Sequence, residues 1–101
     1  LGTTGVGLGI AIPHAKLAGL NHLYALFARF EHPVDFEAID EDPVDLVFLL
    51  LAPESDSATH LKALARVSRL LRDEEMCAKL RGSEGADAMY ALLAGSIAQA
   101  A

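Results

Sequence analysis

Two histidines and a glycine-rich run are the residues of this sequence best suited to chemistry. His14 closes the stretch Gly9-Ile10-Ala11-Ile12-Pro13-His14, and further glycines stand at positions 2, 5 and 7. An unprotonated imidazole nitrogen is a good nucleophile near neutral pH. Glycine-rich backbone beside it can present a nest of N–H groups to phosphate oxygens. His60, in Ala58-Thr59-His60-Leu61, falls in line with Leu64, Val67 and Leu71 at helical spacing, so it points inward from the first turns of a helix. There the positive end of the macrodipole disfavours a charged imidazole, while free backbone amides attract anions. Spacing alone leaves two readings open: two structural histidines, or a pair acting on a phosphoryl group.

Other chemistries fit poorly. Gly5-x-Gly7 would need glycine at position 10 for a dinucleotide loop, and Ile10 stands there; no G-K-[ST] follows either. The four histidines (14, 22, 32 and 60) form no H-x₃-H pattern, and the single cysteine, Cys77, excludes an internal disulfide or a Cys-rich zinc site. We therefore expect no metal and no cofactor. His22 and His32 flank a strand and read as solvated turn residues.

The elements that must position His14 and His60 follow from hydropathy. Residues 1–9 read as a loop that feeds a short strand at Ile10–Ile12. Pro13 cannot donate to a ladder and favours extended geometry before it, so the strand should stop there with His14 at its exit. His22 to Phe30 is apolar on both faces apart from Arg29 and predicts a strand buried on two sides. An acidic connection follows, with a short strand possible at Val34 to Phe36. Val44 to Pro53 predicts a central strand covered by helices on both faces. After it, Ser55, Asp56 or Ser57 can cap a helix with Lys62, Arg66, Arg69 and Arg72 outward and Leu61, Leu64, Val67, Ser68 and Leu71 inward. A short helix over Asp73 to Arg81 should end at Gly82. A last one, roughly Glu84 to Ala98, should pack through Met89, Leu92, Leu93 and Ile97.

Strands followed by helices make an α/β fold with a mixed central sheet flanked by helices. The 101 residues suit one domain, 1–101, with 52% hydrophobic and 22% charged residues marking a globular chain. A formal charge of −6 argues against nucleic acid, whose binders cluster Lys and Arg to neutralise phosphates. No run approaches the ~18 apolar residues of a membrane span, so membrane insertion is not expected, and the sparse cysteine fits a reducing, cytoplasmic setting. The first residue is Leu, and nothing before it covers the second face of the sheet. A preceding helical segment is therefore expected.

"TTGVGLGIAIPHAKL", "DFEAIDEDPVDLVFLLLAP" and "ATHLKALARVSRLLRD" together resemble the fructose/mannitol-type enzyme IIA domain of the phosphoenolpyruvate–sugar phosphotransferase system, and within it the nitrogen-regulatory branch. The likeness runs from Leu1 to about Leu93. It implies that His14 accepts a phosphoryl group from a phosphohistidine carrier similar to HPr, and that His60 lies beside it and supports the phosphate. It also implies an N-terminal helix and strand before the glycine loop, with an arginine near the site. Thr3, Thr4 and the backbone of Gly5, Gly7 and Gly9 are candidate ligands of the phosphoryl oxygens. A nitrogen-regulatory IIA protein would pass the signal to regulatory target proteins. A sugar-uptake IIA domain would pass phosphate to a IIB domain, and a non-catalytic interaction module would use the acidic 35–45 stretch to hold partners.

Overall fold

The computed structural model describes residues 5–35 and 43–100. Contacts divide the chain into two compact units, Leu1–Val67 and Ser68–Ala101. The first holds a five-stranded mixed sheet: β1 (Gly5–Gly7), β2 (Ile10–Ala11), β3 (His14–Leu17), β4 (Tyr24–Val34) and β5 (Val44–Pro53). Helix α1 (Ser57–Arg72) begins in this unit and runs across the boundary; α2 (Glu74–Gly82) and α3 (Ala86–Ala100) belong to the second. The α/β architecture is the one expected, with β5 as the central strand. β2 and β3 pair with it in parallel along one edge and β4 pairs antiparallel along the other.

The glycine run is more ordered than a feeding loop. β1 and β2 form a hairpin in which Gly7 faces Ile10 across the two-residue turn Leu8-Gly9. Leu8 has φ 59° and Gly9 φ 79°. Positive φ at both central residues is what a type I′ turn needs, because its twist matches that of the strands. Gly9 supplies it freely, whereas Leu8 adopts it against the clash of its own Cβ.

Pro13 interrupts the strand without ending it. The register Ile10↔Leu46, Ala11↔Val47 resumes at His14↔Leu50 with no residue gained or lost. The ring removes one donor, but the Pro13 carbonyl still accepts the Leu50 amide at 2.9 Å. His14 therefore opens a new strand rather than standing beyond the old one.

The expectation that His22 to Phe30 is buried on both faces is not met. Among the described residues β4 pairs with β5 alone, and the register Tyr24↔Leu51 and Leu26↔Leu49 puts those four side chains on one face. Tyr24 is 45% and Leu26 58% exposed, and Leu49 and Leu51 are only half-buried, so the described residues leave this end of β5 uncovered on one face. Leu20, Tyr24, Ala25, Leu26, Leu49 and Leu51 line a shallow apolar depression there. The opposite face is packed: Leu46, Phe48 and Leu50 are buried there, and the Phe27 and Phe48 rings meet at 6.0 Å. Further along the Tyr24 face, Phe30 packs against the cluster of Ala11, Val44 and Val47. Val34 is the end of β4, paired with Val44 beyond an irregularity that contains Pro33, a residue suited to edge strands. Phe36 and most of the acidic stretch, including Glu37 and Asp40, lie outside the described residues.

Among the three offered caps, Asp56 is the N-cap of α1. Thr59 N–H donates to its Oδ1 at 3.1 Å and Thr59 Oγ1 to its Oδ2 at 2.6 Å. His60 and Val67 are buried in the first unit and Leu71 in the second, along the expected line. Leu61 is not inward: one residue past His60 it sits about 100° round the helix and is 65% exposed. In the second unit Asp73 caps α2 by accepting from the Glu75 and Met76 amides. Leu71, Met76, Cys77, Leu80 and Leu93 are buried among its described side chains, and Cys77 Sγ donates to the Leu71 carbonyl. α3 starts two residues later than expected, at Ala86.

Candidate functional site

Strand and helix bring His14 and His60 together. His14, half-buried at the start of β3, holds its Nδ1 at 2.8 Å from the Ile12 carbonyl oxygen. A carbonyl only accepts, so Nδ1 carries the proton and donates it. Nε2, on the far edge of the ring, is then left with its lone pair. The bond selects a tautomer and fixes the orientation of the ring with a backbone atom two residues away.

His60 is delivered by the cap of α1. Its own amide donates to the Asp56 carbonyl at 3.3 Å, so it enters the helical ladder as the first turn closes. It is 7% exposed, the one buried polar residue among those described, and its Nε2 is buried without a hydrogen-bond partner among the described residues. Such an atom costs about 1–3 kcal/mol if nothing ever pairs with it. The His14 and His60 rings lie with centroids 5.5 Å apart and planes tilted by 52°. Burial, then the proximity of His14 and of Lys16, holds the His60 imidazole below its ordinary value of 6.5. His60 is thus neutral at pH 7. The Asp56 carboxyl is pulled below 3.8 by its two bonds from Thr59, which keeps the cap ionised.

An imidazole oriented with its Nε2 away from the Ile12 carbonyl faces a second imidazole, held neutral, whose buried Nε2 has no partner among the described residues. Such a pair can offer one nucleophile and one hydrogen-bonding group to a small electrophile seated between them. Of the remaining candidates, Gly5, Gly7 and Gly9 form the β1–β2 hairpin, where the Gly9 carbonyl accepts the Asp45 and Leu46 amides at 3.0 and 3.1 Å. Thr3 and Thr4 lie outside the described residues. His22 and His32 are exposed, with the His22 ring 4.3 Å from that of Tyr24.

Sequence reading missed Lys16 and Ser57, whose side chains meet: Lys16 Nζ donates to Ser57 Oγ at 3.2 Å. The available signal was periodicity. Lys16 is two residues after His14 on a strand, and Ser57 is three before His60 on a helix, so each shares a face with a histidine.

The family model for the "Phosphoenolpyruvate-dependent sugar phosphotransferase system, EIIA 2" matches residues 1–96. A nitrogen regulatory protein of Bradyrhizobium diazoefficiens is 61% identical over 94 residues, which cover 93% of this chain and 61% of the relative. The fructose-specific EIIABC component of Bacillus subtilis is 43% identical over 91 residues, 90% of this chain and 14% of that protein. The crystal structure of the nitrogen regulatory protein IIA-Ntr from Neisseria meningitidis superposes with a TM-score of 0.86 at 36% identity, covering 91% of this chain and 63% of that one. The chain spans about three fifths of the length of the curated nitrogen regulatory relatives it matches, 61% and 58% for two of them.

Proposed function

Because this chain belongs to the EIIA 2 family of the phosphoenolpyruvate-dependent sugar phosphotransferase system, we propose that it is a phosphoryl carrier whose His14 Nε2 takes the group from an HPr-like phosphocarrier. The observation that carries this reading is the bond between His14 Nδ1 and the Ile12 carbonyl, which leaves Nε2 as the nucleophile. In transfer, the Nε2 lone pair forms the new N–P bond as the donor's N–P bond breaks. The electron pair of the broken bond stays on the donor ring. A donor ring protonated at its other nitrogen leaves as a neutral imidazole. His14 keeps its Nδ1 proton on Ile12 throughout, so no proton has to cross between the proteins. His60 Nε2 then gains the partner it lacks, donating to a phosphoryl oxygen as charge redistributes over the group.

The 61% identity to the Bradyrhizobium diazoefficiens nitrogen regulatory protein, against 43% to the fructose-specific component, supports a regulatory IIA role in the cytoplasm, signalling to target proteins. The sugar-uptake alternative uses the same histidine and differs in its recipient, a IIB domain. Incubating the natural-length protein with phosphoenolpyruvate, enzyme I and an HPr-like carrier should add one phosphoryl group, labile in acid and stable in base. His14→Ala should take none. Label that persists in a folded His14→Ala variant overturns the assignment.

A further inference from the structure

Lys16 is the cation nearest in the chain to His14, and its placement beside the histidine pair repeats the geometry that joins the histidines. β3 and the first turn of α1 are linked by two successive cross-contacts. His14 meets His60 at 5.5 Å between ring centroids, and Lys16 Nζ meets Ser57 Oγ at 3.2 Å. Along β3, alternate residues share a face and lie about 7 Å apart. Along α1, residues three apart share a face and rise about 4.5 Å. The two contacts are therefore neighbouring rungs between segments running in opposite senses. The Lys16 ammonium is close enough to help hold His60 in its neutral form.

Ser57 is a weak place for a cation to rest. It offers one neutral hydroxyl, whereas Lys79 in α2 rests against the Glu75 carboxylate. The Lys16 side chain is exposed, long and flexible, so leaving Ser57 costs little. A phosphoryl group carries up to two negative charges and three strong acceptor oxygens, which a lysine binds far better than a hydroxyl.

We propose that Lys16 is a catalytic residue of this site: its ammonium leaves Ser57 to bind the phosphoryl oxygens on the open side, opposite the hydrogen bond from buried His60. The assignment rests on His14 being the phosphoryl acceptor. The two contacts divide the work. His60 is fixed and neutral, and orients the group. Lys16 is mobile and charged, and offsets the negative charge brought in with the donor. No bond to Lys16 forms or breaks, and its proton stays on Nζ.

The test compares Lys16→Met and Lys16→Arg with the wild-type natural-length protein. Rapid-quench transfer from the phosphorylated carrier gives the rate, and ³¹P NMR titration follows the phosphorylated product. Lys16→Met should still label His14, but on the order of 10- to 100-fold more slowly. This is less than the 10²–10³ typical of a preorganised donor, because Lys16 is exposed and screened. Loss of the cation should also raise the pH midpoint of the phosphoryl oxygens, a shift that no merely structural lysine would cause. Lys16→Arg, which keeps the charge, should restore both the midpoint and most of the rate. A Lys16→Met rate within threefold of wild type with an unmoved ³¹P midpoint overturns the role of Lys16 and leaves His14 standing. Equal loss in both variants with an unmoved midpoint overturns it too. Absence of label on wild-type His14 removes the carrier reading itself, so the two failures are distinct.

Discussion

Replacing His60 by leucine should make the protein more stable and a poorer phosphoryl acceptor. The buried Nε2 of His60 has no partner among the described residues. An unsatisfied buried polar atom costs about 1–3 kcal/mol. Leucine removes that atom at a position already 7% exposed and in line with Val67, and its similar bulk limits the repacking cost to under about 1.5 kcal/mol. A net gain of about 1 kcal/mol follows, read as a higher denaturant midpoint at unchanged slope. Transfer loses a donor to the phosphoryl oxygens, worth about 2.7–4 kcal/mol or on the order of 10²–10³ in rate. Equilibrium urea unfolding and rapid-quench transfer on one preparation measure both quantities. His14 should remain the labelled residue. A variant destabilised by more than about 1 kcal/mol, with transfer within threefold of wild type, would show that His60 is an ordinary core residue, and the reasoning from its orphaned nitrogen would fail.

The lowered His60 value also makes stability depend on pH. Unfolded His60 takes up its proton near 6.5 and folded His60 only at lower pH, so between these the unfolded state binds more protons and stability rises with pH. The contribution is complete above about 6.5 and declines as pH falls toward the folded value. His60→Gln should flatten the unfolding free energy in that window, and an unchanged slope would place the titration elsewhere. At the hairpin, Leu8→Asn should stabilise the protein by up to about 1 kcal/mol. Asparagine adopts φ 59° more readily than leucine because its short amide hydrogen-bonds to nearby backbone, and Asn-Gly is the pair favoured in type I′ turns; a lower melting temperature would mean that the Leu8 side chain has a packing role.

The sequence made the site's two histidines visible but only half of its surroundings. His14 was legible because imidazole after an apolar run and proline has no core use, and His60 because a helical wheel puts it in line with Val67 and Leu71. The burial of β4 was misjudged for a physical reason. Apolar residues on both faces state what a strand can bury, whereas actual burial depends on what lies over it. Tyr24 and Leu26 sit at an end of the face that the described residues leave open, whereas Phe30 further along the same face is packed. The hairpin was missed because glycine density signals permitted backbone angles without saying which turn they build, and here even Leu8 joins in. Lys16 escaped notice because its contact with Ser57 spans 41 positions and becomes apparent only when a strand's period of two is laid beside a helix's period of 3.6.

The direction of one carbonyl has an effect on proton chemistry. Along β2 and β3 the carbonyls of Gly9, Pro13 and Leu17 point to β5, accepting amides at 2.9–3.1 Å. By alternation, the Ile12 carbonyl points to the other edge, and there the His14 ring takes it. The alternation of a strand thus decides which nitrogen of an imidazole holds its hydrogen. A backbone amide in place of the ring at Ile12 would release His14 to exchange between its two neutral forms, and the form with its hydrogen on Nε2 presents an N–H where a lone pair is needed. The period of two that sets which side chains are buried serves here as a proton lock.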